Sequence, residues 1–213
     1  ASPAPAPARA DVIMIGDRLA DVAFNLGVVP AAMSVRCSLW PMCEHLKTVV
    51  QVLGCPKCLS GKKAAPLLKF ARQHGIKRVL IEKSDPFCLY VQTSPEKAAS
   101  FLDGKGLTID YVDFTKGLGN AVRQAADLLG CAEKVGDVLA VYDKAMKQTR
   151  AKMGGKQFPG KVVILKGVYQ NETGKAFIQV EAPGGYSDRL MLQPMACENV
   201  GDKMYPAEKK PAK

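Results

Sequence analysis

Residues 36–58, "RCSLWPMCEHLKTVVQVLGCPKC", hold four of the chain's seven cysteines, one of its two histidines and its only tryptophan. Cys37, Cys43, Cys55 and Cys58 follow the spacing C-x5-C-x11-C-x2-C. Three kinds of chemistry use such a set. Thiolates are polarisable and bind soft metal ions and iron–sulfur clusters, and four of them complete a tetrahedral or cubane set. "GCPKC" is half of such a site, because the glycine and the internal proline favour a knuckle that aims both sulfurs one way. The C-x5-C half departs from zinc ribbons, whose two knuckles repeat C-x2-C, so zinc stands as the structural alternative. A second use is disulfide pairing, Cys37–Cys43 and Cys55–Cys58, where each short loop adds only about 2 kcal/mol by chain entropy. A third is thiol–disulfide exchange, with Cys55 as nucleophile and Cys58 as resolving thiol. In oxidoreductases of that kind the second cysteine lies in the first turns of a helix, whereas "LSGKK" intervenes here. The spacing alone leaves all three open.

The elements that position these cysteines read as α/β. "DVIMIG" (11–16) is a buried-strand run closed by Gly16, and "DRLADVAFNLG" (17–27) is a helix with Asp17 as N-cap and Gly27 as its stop. "AMSVR" (32–36) is a second strand. "AAPLLKFARQH" (64–74) makes an amphipathic helix that feeds the strand "KRVLIEK" (77–83), and "LTIDYVDF" (107–114) is a fourth strand. Residues 119–153 form a long helical pattern, interrupted at most near Gly130. Strands restart at 161–170 and 176–181 around the turn "NETGK". Alternating strands and helices imply a largely parallel sheet. The expected fold is therefore α/β: two lobes with mainly parallel sheets joined by a long helix. The expected boundaries are a Pro/Ala spacer at 1–10, a first lobe at 11–118, the connector at 119–153, and a short or truncated second lobe with a basic tail at 154–213.

Composition bounds the function. At 213 residues the chain can bury a full core, and 47% hydrophobic with 23% charged residues is ordinary for a globular protein. No apolar run approaches the roughly 18–20 residues that span a bilayer. The net charge is +10, but the lysines are scattered, with one dense run in "AEKKPAK". No arginine-rich stripe interleaved with aromatics is present, so nucleic acid is not an expected partner. "ASPAPAPAR" is the kind of extended start left when a signal peptide is removed, so the expected location is the periplasmic or extracellular side, against the plain reading of a frayed terminus.

"VIMIGDRLADVAFNLGVVPAAMSVR", "LGCAEKVGDVLAVYDKAMKQ" and "GGYSDRLMLQPMACENVGD" resemble segments of the helical-backbone (class III, metal-receptor type) periplasmic solute-binding proteins of ABC transporters. The resemblance spans most of residues 11–202. It implies a non-enzymatic protein that captures a metal-containing small ligand and presents it to an ABC permease. Membrane association would come only through that permease or an N-terminal anchor. In the family the second lobe runs on for several more strands and helices, whereas this chain ends in "KMYPAEKKPAK". The family's zinc and manganese binders use several histidines, and this chain has only His45 and His74.

Ligands of a doubly wound sheet bind beyond the carboxyl ends of its strands. Cys37 follows its strand directly, Cys88 lies beyond the strand at 77–83, and Cys43, Cys55 and Cys58 lie in the connection between. The resemblance also brings Cys197, Tyr186 and Arg189 to the ligand side. Cys37, Cys43, Cys55, Cys58, Cys88 and Cys197 are thus the expected metal ligands. Arg18 could grip an oxyanion through paired hydrogen bonds, and Trp40 could wall a cavity. Each has a plain counterpart: a solvated charge after a helix cap, and a core aromatic. Cys131 reads as a small buried hydrophobe. No nucleophile–histidine–acid set, metalloprotease motif or phosphate cradle is present. Two further readings stay open: a siderophore- or corrinoid-type binder whose cysteines form only disulfides, and the C-x-x-C redox enzyme.

Overall fold

The apolar run after the N-terminal prolines folds as β1 (Ala8–Ile15) and passes through Gly16 into α1 (Asp17–Asn25) and β2 (Val28–Ser34). The computed structural model describes residues 6–37, 40–59, 64–84, 94–153, 156–170, 174–184 and 187–204. The chain divides into two compact units, residues 1–143 and 144–213. β1 begins earlier than the hydrophobic run suggests. Ala8, Arg9 and Ala10 of the expected spacer pair with Val28, Val29 and Pro30, so sheet hydrogen bonding extends the strand beyond its apolar core.

After β2 the first unit continues with α2 (Met42–Leu46), β3 (Gln51–Val52), α3 (Pro56–Leu59), α4 (Ala65–Gln73) and β4 (Arg78–Lys83). Then follow α5 (Ala99–Leu102), β5 (Thr108–Asp113) and α6 (Leu118–Leu129). The five strands form one sheet in the order β3-β2-β1-β4-β5, and every neighbouring pair is parallel. A parallel sheet needs both faces covered, and alternation along the strands does this. Val12, Met14, Leu80 and Val112 pack with Leu19, Val22 and Ala23 of α1 and Ala121, Val122 and Ala125 of α6. Ile13, Ile15, Val79 and Ile81 point the other way, onto Leu67 and Ala71 of α4 and Leu102 of α5. Each such fully buried aliphatic side chain contributes about 1.5–3 kcal/mol.

The helical pattern at 119–153 is two helices. Gly130 takes a left-handed conformation (φ 70°) that ends α6, and a short 3-10 turn leads into α7 (Val135–Met153). The boundary between the two units falls inside α7. In the second unit, β6 (Lys161–Val162), β7 (Leu165–Gln170), β8 (Lys175–Val180) and β9 (Glu198–Asn199) are described. β6 pairs parallel with β9, while β7 and β8 form an antiparallel hairpin. Four intervening residues are too few for the helical crossover that parallel pairing needs, so β7 and β8 turn back on each other. Among the described residues no helix is long and apolar enough to cross a membrane.

Candidate functional site

All five strands of the first unit end at the same edge of the sheet, and the strand order reverses between β1 and β4. In open parallel sheets the crevice at that reversal is where a ligand is expected, beside the N-terminus of the helix that follows the first strand. Here a side chain of the chain itself sits there. Glu82, next to last in β4, is fully buried. Its Oε2 accepts hydrogen bonds from the backbone amides of Arg18 (2.9 Å) and Leu19 (3.3 Å) at the start of α1. Its Oε1 accepts from Arg18 Nε (2.9 Å) and from Ser84 Oγ (2.9 Å). A carboxylate thus satisfies two of the orphan amides of α1 and meets the positive end of its dipole.

Asp17 does not cap this helix with its side chain, as the sequence suggests; Gly16 stands at the cap position and Asp17 is the first helical residue. The Asp17 carboxylate is buried and directed sideways. Arg36, just after β2, donates its backbone amide to Oδ1 (2.7 Å) and its Nε to Oδ2 (2.6 Å). Arg18, expected to hold an oxyanion, is committed to Glu82, and its guanidinium carbon lies 4.8 Å from the centroid of the Phe114 ring. At the end of β5, Asp113 accepts from the hydroxyl and the amide of Thr115. The Thr115 hydroxyl, ahead of Lys83 and Lys116, holds the Asp113 carboxyl below the usual range.

The four-thiolate set is not formed. Cys37 and Cys43 are joined by a disulfide, with Cα atoms 5.0 Å apart, which consumes two of the expected ligands. Among the described residues no group of three or more His, Cys, Asp or Glu side chains is placed to hold a metal ion. Cys88 and Tyr186 lie outside the described residues, as does the side chain of Arg189. Cys197, half-buried in the second unit, donates to the Phe158 carbonyl (3.0 Å). In the same unit Glu181 closes the glycine-rich segment by accepting from Ser187 N (2.7 Å) and Ser187 Oγ (2.8 Å). Cys131 is buried against α1 and α6 as expected, and burial pushes its thiol up.

Trp40 lies within the loop closed by the disulfide. It packs on the apolar cluster of Met33, Val35, Cys43, Leu46 and Val50, beside the α1 residue Ala20. Its indole also hydrogen-bonds the Asp21 carboxylate, whose pKa is raised by burial despite that bond. Reducing the bridge is expected to destabilise the protein by about 2 kcal/mol through the lost loop constraint. It should also shift Trp40 emission to longer wavelength as the loop loosens. A denaturant titration with and without reductant, followed through this single tryptophan, checks both. Unchanged emission and stability would mean that the bridge does not hold the loop.

Cys55 and Cys58 remain thiols, with sulfurs 3.9 Å apart, the first half-buried and the second exposed. Burial pushes the Cys55 thiol up, against the opposing effect of the Cys58 and Lys57 amides. A nucleophilic cysteine of an oxidoreductase needs the reverse.

Sequence reasoning passed over Glu82, Asp17–Arg36 and Asp21. For Glu82 a signal was present: a charged residue ending the apolar run "RVLIE", opposite a glycine that opens a helix.

No protein-family model matches the sequence, and no curated protein matches it. Solved structures do match in fold. An ABC-transporter substrate-binding protein from Listeria monocytogenes EGD-e is 17% identical, with a TM-score of 0.60 over 91% of this chain and 65% of its own. The periplasmic heme-binding protein BhuT, solved with two hemes, is 18% identical, with a TM-score of 0.58 over 90% of this chain and 66% of its own. IsdE of Staphylococcus aureus, complexed with heme, is 16% identical, with a TM-score of 0.60 over 89% of this chain and 64% of its own. The chain therefore spans just under two thirds of the length of these proteins. Its fold is that of the substrate-binding proteins of ABC transporters.

Proposed function

We propose that the protein is an extracytoplasmic solute-binding protein of an ABC importer that captures an iron-bearing small ligand and passes it to a membrane permease. The observation that carries this reading is the fold, shared over about nine tenths of the chain with substrate-binding proteins, two of which are heme-bound. The carboxyl edge of the parallel sheet supports it as the capture surface. Arg18, Phe114 and the Trp40 loop all belong to that edge, and Arg18 and Trp40 keep part of their surface open.

Among the cysteine readings, the Cys37–Cys43 bridge favours a siderophore- or corrinoid-type binder with structural disulfides over capture by four thiolates. The raised Cys55 thiol argues against the redox enzyme. Titration with hemin, with ferric citrate and with ferric siderophores of the catecholate and hydroxamate types, followed by quenching of Trp40, tests the reading. Saturable binding of one iron-bearing ligand is expected. Absence of binding to all of them, in protein with the bridge intact, would overturn the iron-bearing ligand class.

A further inference from the structure

We infer that Cys55 and Cys58 form a two-coordinate site for a thiophilic d10 cation, copper(I), separate from the ligand reading above. The first argument is distance. A disulfide needs sulfurs about 2.05 Å apart. Two thiolates sharing a metal at bonds of about 2.3 Å stand about 3.8 Å apart at a tetrahedral angle and about 4.6 Å apart at the linear angle that two-coordination favours. The sulfurs of Cys55 and Cys58 are 3.9 Å apart, in S–H···S contact and unbridged, while Cys37 and Cys43 in the same unit are joined. The pair therefore already suits a bent two-coordinate ion, and reaches the linear arrangement by opening about 0.7 Å.

The second argument is support. The Gly54 carbonyl accepts from Val35 N (3.1 Å) and Ser34 Oγ (3.0 Å), fixing the entrance of the turn to the end of β2. Pro56 and Leu59 are buried, and Leu59 belongs to the cluster under α4, which fixes the exit. The Cys58 amide closes the turn on the Cys55 carbonyl at 2.9 Å. Both thiols thus stand on a clamped turn with the outer one open to solvent, and little ordering remains to be done on binding.

The third argument is ligand count. Zinc takes four ligands, and among the described residues no third His, Cys, Asp or Glu joins this pair. Copper(I) is soft, selects thiolates and is satisfied by two of them. Binding replaces the two S–H bonds by two S–Cu bonds and releases two protons, with no change in oxidation state.

The test uses the whole chain, anaerobically, with the Cys37–Cys43 bridge intact and the free thiols mapped by alkylation and mass spectrometry. Copper(I) is titrated against a chromophoric copper(I) chelator. One ion per chain should be withdrawn from the chelator. Cys55→Ser and Cys58→Ser should each weaken binding by more than the about 100-fold that loss of an outer-shell partner costs at metal sites. Cys131→Ser and Cys197→Ser should leave it unchanged, and circular dichroism should show all four variants folded. Copper left with the chelator while both thiols are free would overturn the inference. So would binding as tight in the Cys55 and Cys58 variants as in the unsubstituted protein, or a Cys55–Cys58 disulfide found in protein kept under mild reductant. None of these outcomes bears on the hemin titration.

Discussion

Glu82→Ala is expected to lower the unfolding free energy by about 3 kcal/mol, since removing one partner of a buried ion pair orphans the others. The Glu82 carboxylate accepts four hydrogen bonds, from two α1 amides, the Arg18 side chain and Ser84. The amides of Arg18 and Leu19 lose their partner at a helix start that has no side-chain cap of its own. Arg18 limits the cost, because its side chain is 34% exposed and can turn to water. Glu82→Gln keeps the shape but presents an NH2 to one set of donors, so it should cost about 1–2 kcal/mol. Urea melts read both as a shift in midpoint at constant slope. A loss below about 1 kcal/mol for the alanine variant would show that water or another side chain replaces the carboxylate.

Gly16→Ala should cost as much or more, about 3 kcal/mol, from backbone strain added to overpacking. Gly16 has φ 128°, a conformation that residues with a Cβ rarely adopt. A Cβ there would overlap the Glu82 side chain, which lies against the turn between β1 and α1. The neighbour cannot give way without breaking its own hydrogen bonds. Gly27→Ala separates the two causes. Gly27 also has positive φ (77°), but a Cβ there would meet nothing within 4 Å. That variant should lose only about 1–2 kcal/mol, the cost of the left-handed conformation alone. Equal losses at the two positions would mean that Glu82 does not press on Gly16.

The strands and helices of the first unit were readable because their apolar residues alternate or recur at helical spacing. β1, α1, β4, β5 and α4 each lie within a few residues of such a run. β3 was not readable, since Gln51 and Val52 become a strand only by pairing with Ala32 and Met33. The left-handed Gly130 that divides the connector was legible as a glycine in a helical pattern, whereas the split inside α7 depends on tertiary contacts. At the candidate site, spacing identified the cysteines but not their partners. C-x5-C is compatible with a bridge or with two metal ligands, and only the sulfur–sulfur bond between Cys37 and Cys43 in the folded chain distinguishes them. Arg18 was legible as a charge at the right edge. Its engagement by Glu82 depends on two residues 64 apart in sequence, which no local pattern encodes.

The paired charges along the carboxyl edge also bear on how a solute would arrive. Asp17 with Arg36, Glu82 with Arg18, and Asp113 with Lys83 at 3.9 Å are three anions matched to three cations. These six groups sum to zero, so the chain's net charge of +10 is carried by groups other than these pairs. At short range the edge therefore presents paired charges as fixed dipoles rather than a row of one sign. Any long-range attraction toward it comes from the charge of the whole chain, and salt, which screens such fields over about 10 Å at 0.1 M, should weaken that attraction while leaving the buried pairs largely intact.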